Sequence, residues 1–194
     1  MVETFNLPIG TLEYMDDSHT YIFDGIMLPS ITQIISDKGK FEFVSEEVLE
    51  EAARKGTLMH KAIEDYEKYG VENELQELYN YKFLKRAVGF SVIESEIPVV
   101  LFKNGSPVAA GRLDQLIELD GKLGINDLKR TNNFDTQYVA CQTTLYAQAY
   151  EDTYGKHIDF ISGTHLREKV RSFYKLLPAK ELVEKKLNDF LSNN

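Results

Sequence analysis

The sequence predicts an α/β protein of the α+β kind, a mixed sheet flanked by helices. Three observations carry this. Residues 91–129 are rich in strand-forming residues and contain a strong two-residue turn, Asp120-Gly121. Helical periodicity precedes that region in residues 45–88 and follows it from Thr136 to Tyr154. Two more strand-like runs and a final helix then close the chain, an order suited to layered packing.

From the N-terminus, residues 19–28, HTYIFDGIML, read as a small hairpin turning at Asp24-Gly25. Pro29-Ser30 opens a short helix, ITQIIS, with Ser30 as its N-cap. Ser45 caps the run EEVLEEAARK, whose early acids suit the positive end of a helix dipole. Gly56 is expected to interrupt it. The pattern resumes at Thr57, with Leu58, Ala62, Ile63 and Tyr66 at helical spacing, and stops at Gly70. Residues 74–88 form a further helix with Leu75, Leu78, Tyr79 and Leu84 inward.

Ser91–Phe102 is a strand whose pairing Pro98 limits. Residues 111–119 and 122–129 are the arms of the Asp120-Gly121 hairpin. The helix from Thr136 to Tyr154 is closed by Gly155. Strands follow near 158–166 and 170–177. Pro178 precedes a terminal helix with Leu182, Leu187, Phe190 and Leu191. The expected organisation is one domain over 1–194: N-terminal hairpin and helices in 1–90, sheet core in 91–178, C-terminal helix in 179–194.

Of the 194 residues, 43% are hydrophobic and 27% charged, which excludes a wholly disordered chain. The single cysteine, Cys141, excludes an intramolecular disulfide framework and any four-cysteine zinc or iron–sulfur site. It lies among Val139, Ala140 and Leu145 and reads as a buried, inert thiol. The opening carries Glu3 and no long apolar run, so no signal peptide is expected. No run is long and apolar enough to span a membrane. The expectation is a cytoplasmic protein with no membrane partner. Net charge is −9, from 22 basic and 31 acidic residues, which argues against coating nucleic acid. It leaves room for an enzyme acting on nucleic acid, because a bound cation inverts the local field of clustered acids.

The chemistry concentrates in GRLDQLIELDGKLGINDLKR, residues 111–130. A two-residue turn at Asp120-Gly121 opposes Leu119 to Lys122 and, counting back, Asp114 to Asp127. Residues two apart share a face, so Asp114, Asp127 and Lys129 project from one side. Opposed Cβ atoms lie about 4.5–5.5 Å apart, and two carboxylates there repel. A divalent cation between them removes the objection. A lysine two residues on can then orient, or take a proton from, a polarised water. The plain alternative is a solvated hairpin with Lys129 neutralising its acids.

His60 and Glu64 are four apart in GTLMHKAIEDYEKYG and share a helix face, where the histidine could complete a metal shell beside Arg54-Lys55. Gln142 and Tyr146 form a similar pair in VACQTTLYAQAY. Each pair alone reads better as ordinary helix surface or edge.

The ordered set resembles the RecB-like branch of the PD-(D/E)XK nuclease superfamily, in its small phage-type single-domain form. Gly56, Thr57, His60 and Glu64 match its G-T-x-x-H-x-x-x-E helix. Gly111 and Asp114 match its G-x-x-D strand; Asp127, Leu128 and Lys129 match its D-x-K strand; Gln142 and Tyr146 match its Q-x-x-x-Y helix. His19, Tyr21, Asp24, Gly25, Pro29, Ser30 and Thr32 match the opening pattern of these proteins.

The resemblance implies a metal-dependent deoxyribonuclease, an exonuclease on single-stranded or end-exposed DNA in recombination, replication or repair. It implies Mg²⁺ or Mn²⁺ held by Asp114, Asp127, His60 and the Leu128 carbonyl. Lys129 would activate water, and Gln142 and Tyr146 would hold the DNA strand or the scissile phosphate. Glu64 and Glu96 are secondary candidates for the site. Arg54, Lys55, Lys61 and Arg130, with Arg167, Lys169 and Arg171, are candidate phosphate contacts. No iron–sulfur cluster is expected. No nucleotide-binding helicase motif is present, so a helicase or a recombination or replication protein would be a separate partner. The rival expectation is a catalytically silent nuclease-fold protein that binds DNA or a protein partner.

Overall fold

In the computed structural model, which describes residues 2–18, 20–36 and 45–193, the N-terminal region is more than a hairpin. Strands β1 (Val2–Leu7), β2 (Gly10–Met15), β3 (Thr20–Phe23) and β4 (Ile26–Leu28) form an antiparallel meander. The Asp24-Gly25 turn is as expected, with both residues at positive φ, and Asp24 Oδ1 also accepts the Thr11 N–H at 2.9 Å. The first two strands extend beyond the expected hairpin. Their alternation is present in the sequence, but it sets Glu3 beside Phe5 and Leu7 on the half-buried face, which weakens the signal. His19, from the opening motif, lies outside the described residues.

Ser30 caps α1 (Ile31–Ile35) through a capping box with Gln33. Helix α2 (Glu46–Tyr69) runs 24 residues without a break at Gly56, correcting the expected interruption. A lone glycine costs a helix only about 1 kcal/mol, which neighbouring good helix formers and packing of Met59, Ala62 and Ile63 offset. Ser45 occupies the N-cap position with no side-chain hydrogen bond. Helix α3 (Gln76–Val88) buries Leu78, Tyr81 and Leu84, whereas Tyr79, expected inward, is exposed.

The second sheet has the order β5 (Ser91–Lys103), β6 (Ser106–Leu119), β7 (Lys122–Lys129), β8 (Phe160–Arg167), β9 (Val170–Leu176). All neighbours pair antiparallel except β7 and β8, which run parallel. Parallel strands need a long crossover, supplied here by α4 (Thr136–Tyr154). A second two-residue turn, Asn104-Gly105, joins β5 to β6, so β6 starts earlier than the expected residue 111. Pro98 sits on β5 at the sheet edge, where a missing N–H is tolerated.

One core cluster joins the sheet to α1, α4 and α5 (Lys180–Ser192), through residues such as Ile97, Leu113, Ile125, Leu145 and Leu187. A second packs α2 and α3 on Ile117, Leu119, Leu128 and Leu166. The sheet therefore lies between helical layers, as the sequence predicts. The N-terminal sheet leans on β5 and β6 through Leu12, Tyr21, Phe23, Val100 and Ala110. No described helix is long and apolar enough to cross a membrane.

Candidate functional site

The hairpin register decides where the acids meet. The ladder runs from Leu119 opposite Lys122 to Gln115 opposite Asn126, the pairing that the turn predicts. One step beyond it, Asp114 Oδ2 accepts the backbone N–H of Leu128 at 2.6 Å. This bond holds the Asp114 carboxylate against the D-x-K strand.

His60 reaches the same place from the middle of α2. Its neighbours Met59 and Ile63 are buried, so the helix lies tight on the sheet. His60 Nε2 is 3.0 Å from the Leu128 carbonyl. A carbonyl only accepts, so the ring nitrogen donates. In the neutral ring Nδ1 then keeps a bare lone pair. Nδ1 is 3.7 Å from Asp114 Oδ1 and 4.0 Å from Glu96 Oε1. A histidine bonded through its other nitrogen to a backbone carbonyl is the usual arrangement of a metal ligand. Leu128 thus contributes by orienting His60.

Glu96 enters this cluster from β5, opposite Asp114, with its backbone at φ 57°. A non-glycine residue in the left-handed region inside a strand is locally strained. It stands near a register shift between Val92 and Glu94. One ligand atom from each of His60, Glu96 and Asp114 falls within 4.8 Å of the others. Two carboxylates and an imidazole suit Mg²⁺ or, better, Mn²⁺. The field is tense without a cation. Burial, then the Asp114 charge, pushes the Glu96 carboxyl up to about 7.

Asp127 is almost wholly buried beside this cluster but is not one of the three grouped residues. Its Oδ1 accepts from Lys129 Nζ at 2.9 Å. Its Oδ2 has Nζ at 2.8 Å but no well-directed hydrogen bond. Burial pushes its pKa up to about 6 against the pull of Lys129. Burial also lowers Lys129, but the Asp127 and Asp114 charges more than offset it and hold the ammonium above its ordinary value. Lys129 is charged at neutral pH.

Gln142 and Tyr146 lie on α4, buried, on the side of the acids. Gln142 Oε1 has no hydrogen-bond partner. Burial and then the Asp114 charge hold the Tyr146 phenol well above its ordinary value. Gly111 explains itself here: a Cβ at this position would stand 2.9 Å from the Tyr146 ring.

Several of the other candidates are held by partners of opposite charge. Glu64 pairs with Lys68 and Lys61, one turn beyond His60. Arg54 and Lys55 both pair with Glu51, and Lys61 with Asp65. Arg130 is turned inward onto Glu77, a bond between two largely buried side chains. Arg167 and Lys169 border a cleft of about 280 Å³ with Arg130 and Glu168, and Arg171 stacks over Phe83. Cys141 is buried, as expected.

Behind the acidic strand lies a polar chain that sequence reading missed. Asn126 donates to Gln115 and accepts from Ser162 and Thr164; Gln115 donates to Tyr81, and Tyr81 to Glu67. The Asn126–Gln115 step follows from the hairpin register, whereas the others join residues 14 to 38 apart that no local pattern brings together.

No family model matches the chain. No curated protein matches it either. Among solved structures it is similar to one titled "Crystal structure of SSO0001", at 12% identity and a TM-score of 0.47, over 85% of this chain and 75% of that one.

Proposed function

We propose that the protein is a divalent-metal-dependent nuclease with a RecB-like PD-(D/E)XK core, hydrolysing phosphodiester bonds in DNA at single-stranded or exposed ends. One observation carries the reading. His60, Glu96 and Asp114, distant in sequence, converge within metal-ligand reach beside the Asp127–Lys129 pair. The half-satisfied Asp127 carboxylate and the raised Glu96 support a site that expects a cation. The helix-flanked mixed sheet is compatible with such a core.

His60 Nδ1, Glu96 and Asp114 would hold Mg²⁺ or Mn²⁺. A cation there polarises water and stabilises charge developing on phosphate. Lys129, kept in place by Asp127, orients the attacking water or meets the phosphate charge. Gln142 offers an acceptor, and Tyr146 a hydroxyl, to the strand being cut.

The test is cleavage of labelled single- and double-stranded DNA with Mn²⁺ and with EDTA. Cleavage that needs Mn²⁺ and is absent in Asp114→Asn is expected. DNA bound but left intact under every condition would overturn it in favour of a silent binding protein.

A further inference from the structure

One cation beside the acids has no role in the site described so far. Arg112 lies two residues before Asp114 on β6, so the two share a face, about 6.6–6.8 Å apart along the strand. It stands opposite Pro98, two residues after Glu96. Its guanidinium sits over the rings of Phe5 and Tyr14, 5.2 and 5.3 Å from their centroids. Such stacking holds the planar group in one orientation. Its charge is felt at Glu96 and at Tyr21.

The N-terminal sheet builds this setting in one cross-strand row. Glu3 pairs with Tyr14, and Tyr14 with Tyr21, whose rings are 4.9 Å apart. At the row's outer end the Glu3 carboxylate takes the Arg112 guanidinium. Glu3 is 41% and Arg112 25% exposed, so solvent weakens their pair. A guanidinium fork one strand repeat from the grouped acids matches a phosphodiester as well as a carboxylate.

Resting on the nuclease reading, we propose that Arg112 binds a phosphodiester of the substrate strand next to the one being cut, and that Glu3 holds its place in the free protein as a displaceable carboxylate stand-in. The N-terminal sheet is then part of the substrate-binding surface. A strand entering the site exchanges one anion for another at Arg112 and leaves Glu3 to solvent.

The experiment is fluorescence anisotropy of a labelled oligothymidylate over a salt series, with Ca²⁺ replacing Mn²⁺. It uses the full chain and its Glu3→Gln, Arg112→Gln, Arg112→Lys and Glu3→Gln/Arg112→Gln variants. Glu3→Gln is expected to tighten binding severalfold by removing the competitor. Arg112→Gln is expected to weaken it about tenfold and to flatten the salt slope by about 0.7. Glu3→Gln should then have no effect in the Arg112→Gln background. Should Arg112→Gln unfold, Arg112→Lys keeps the charge without the fork and should weaken binding with the slope intact. If Glu3→Gln leaves affinity unchanged or weakens it, the pair merely ties the two sheets together and the proposal is overturned. If the wild type takes up Mn²⁺ but binds no oligonucleotide, the nuclease reading fails and takes this one with it. If the wild type binds and cuts while both single variants match it, only this proposal falls.

Discussion

The imidazole of His60 donates to the carbonyl of Leu128, across 68 residues of sequence. That bond fastens α2 to β7 and fixes which ring nitrogen faces Glu96 and Asp114. The backbone N–H of the same Leu128 holds Asp114. One residue of the D-x-K strand thus orients two of the three grouped ligands through its main chain, and its own side chain is free to pack in the core.

The two hairpin acids should respond oppositely to neutralisation. Counting strands alone, both look like sources of repulsion. The structure reverses this for Asp127, because Lys129 is its partner. Asp127→Asn should cost only about 1 kcal/mol: it leaves the Lys129 ammonium without its partner, but it also removes a carboxylate whose ionisation burial already disfavours, which offsets most of the usual penalty. Asp114→Asn keeps an oxygen for the Leu128 N–H and removes a charge from beside Glu96, so the metal-free protein should be as stable or more so. Thermal unfolding in EDTA reads both. The same melts in Mn²⁺ should show a stabilising shift in the wild type and none in Asp114→Asn.

Lys129→Met should separate holding a metal from using it. Lys129 cannot ligate a cation, so calorimetric Mn²⁺ affinity should hold or rise. Single-turnover cleavage should fall by roughly 10²–10³, the loss typical of one contact to developing charge. An unchanged rate would remove Lys129 from the chemistry.

Both raised carboxyls set a pH dependence. Glu96 and Asp127 keep protons in the fold that the unfolded chain has already released. Stability of the metal-free protein should therefore decline as pH climbs from the ordinary values of 3.8 for Asp and 4.5 for Glu through about 6 for Asp127 and about 7 for Glu96, and then level off. A metal must displace those protons, so Mn²⁺ affinity should rise over the same interval, with proton release on binding. Titrations in buffers of different ionisation enthalpy check this. Equal affinity at about pH 5.5 and about pH 8 would contradict it.

Gly111→Ala should act through Tyr146. The added methyl stands 2.9 Å from that ring and 3.4 Å from Ile31, and Tyr146 is too buried to swing away. The cost should be about 1–3 kcal/mol of overpacking. In a Tyr146→Ala background the same substitution should cost much less. Additive losses in the melts would show that the ring is not what the glycine makes room for.

Local signals carried far in the sequence. The Asp120-Gly121 turn fixed the β6–β7 register, and Gly155 and Asp135 bound α4 where periodicity predicts it. Glu96 stood only as a secondary candidate, because the shifted register after Val92 and its left-handed backbone break the alternation by which its face would be counted. The Arg130–Glu77 pair joins residues 53 apart, and no local pattern shows that this arginine turns inward. Asp127 illustrates the remaining limit: alternation places it beside Lys129 but does not say whether it serves an ion or that ammonium.

The parallel pairing of β7 with β8 also orders events during synthesis. A ribosome releases β7 first, then the 19 residues of α4, and only then the strand that covers its second edge. Until Gly163 has docked opposite Asp127, the acid lies on a strand with one edge unpaired. The sequestered pair with Lys129 is therefore a late product of chain growth. A truncated chain ending before Phe160 would carry every acid of the site and lack the dry surroundings that set their properties.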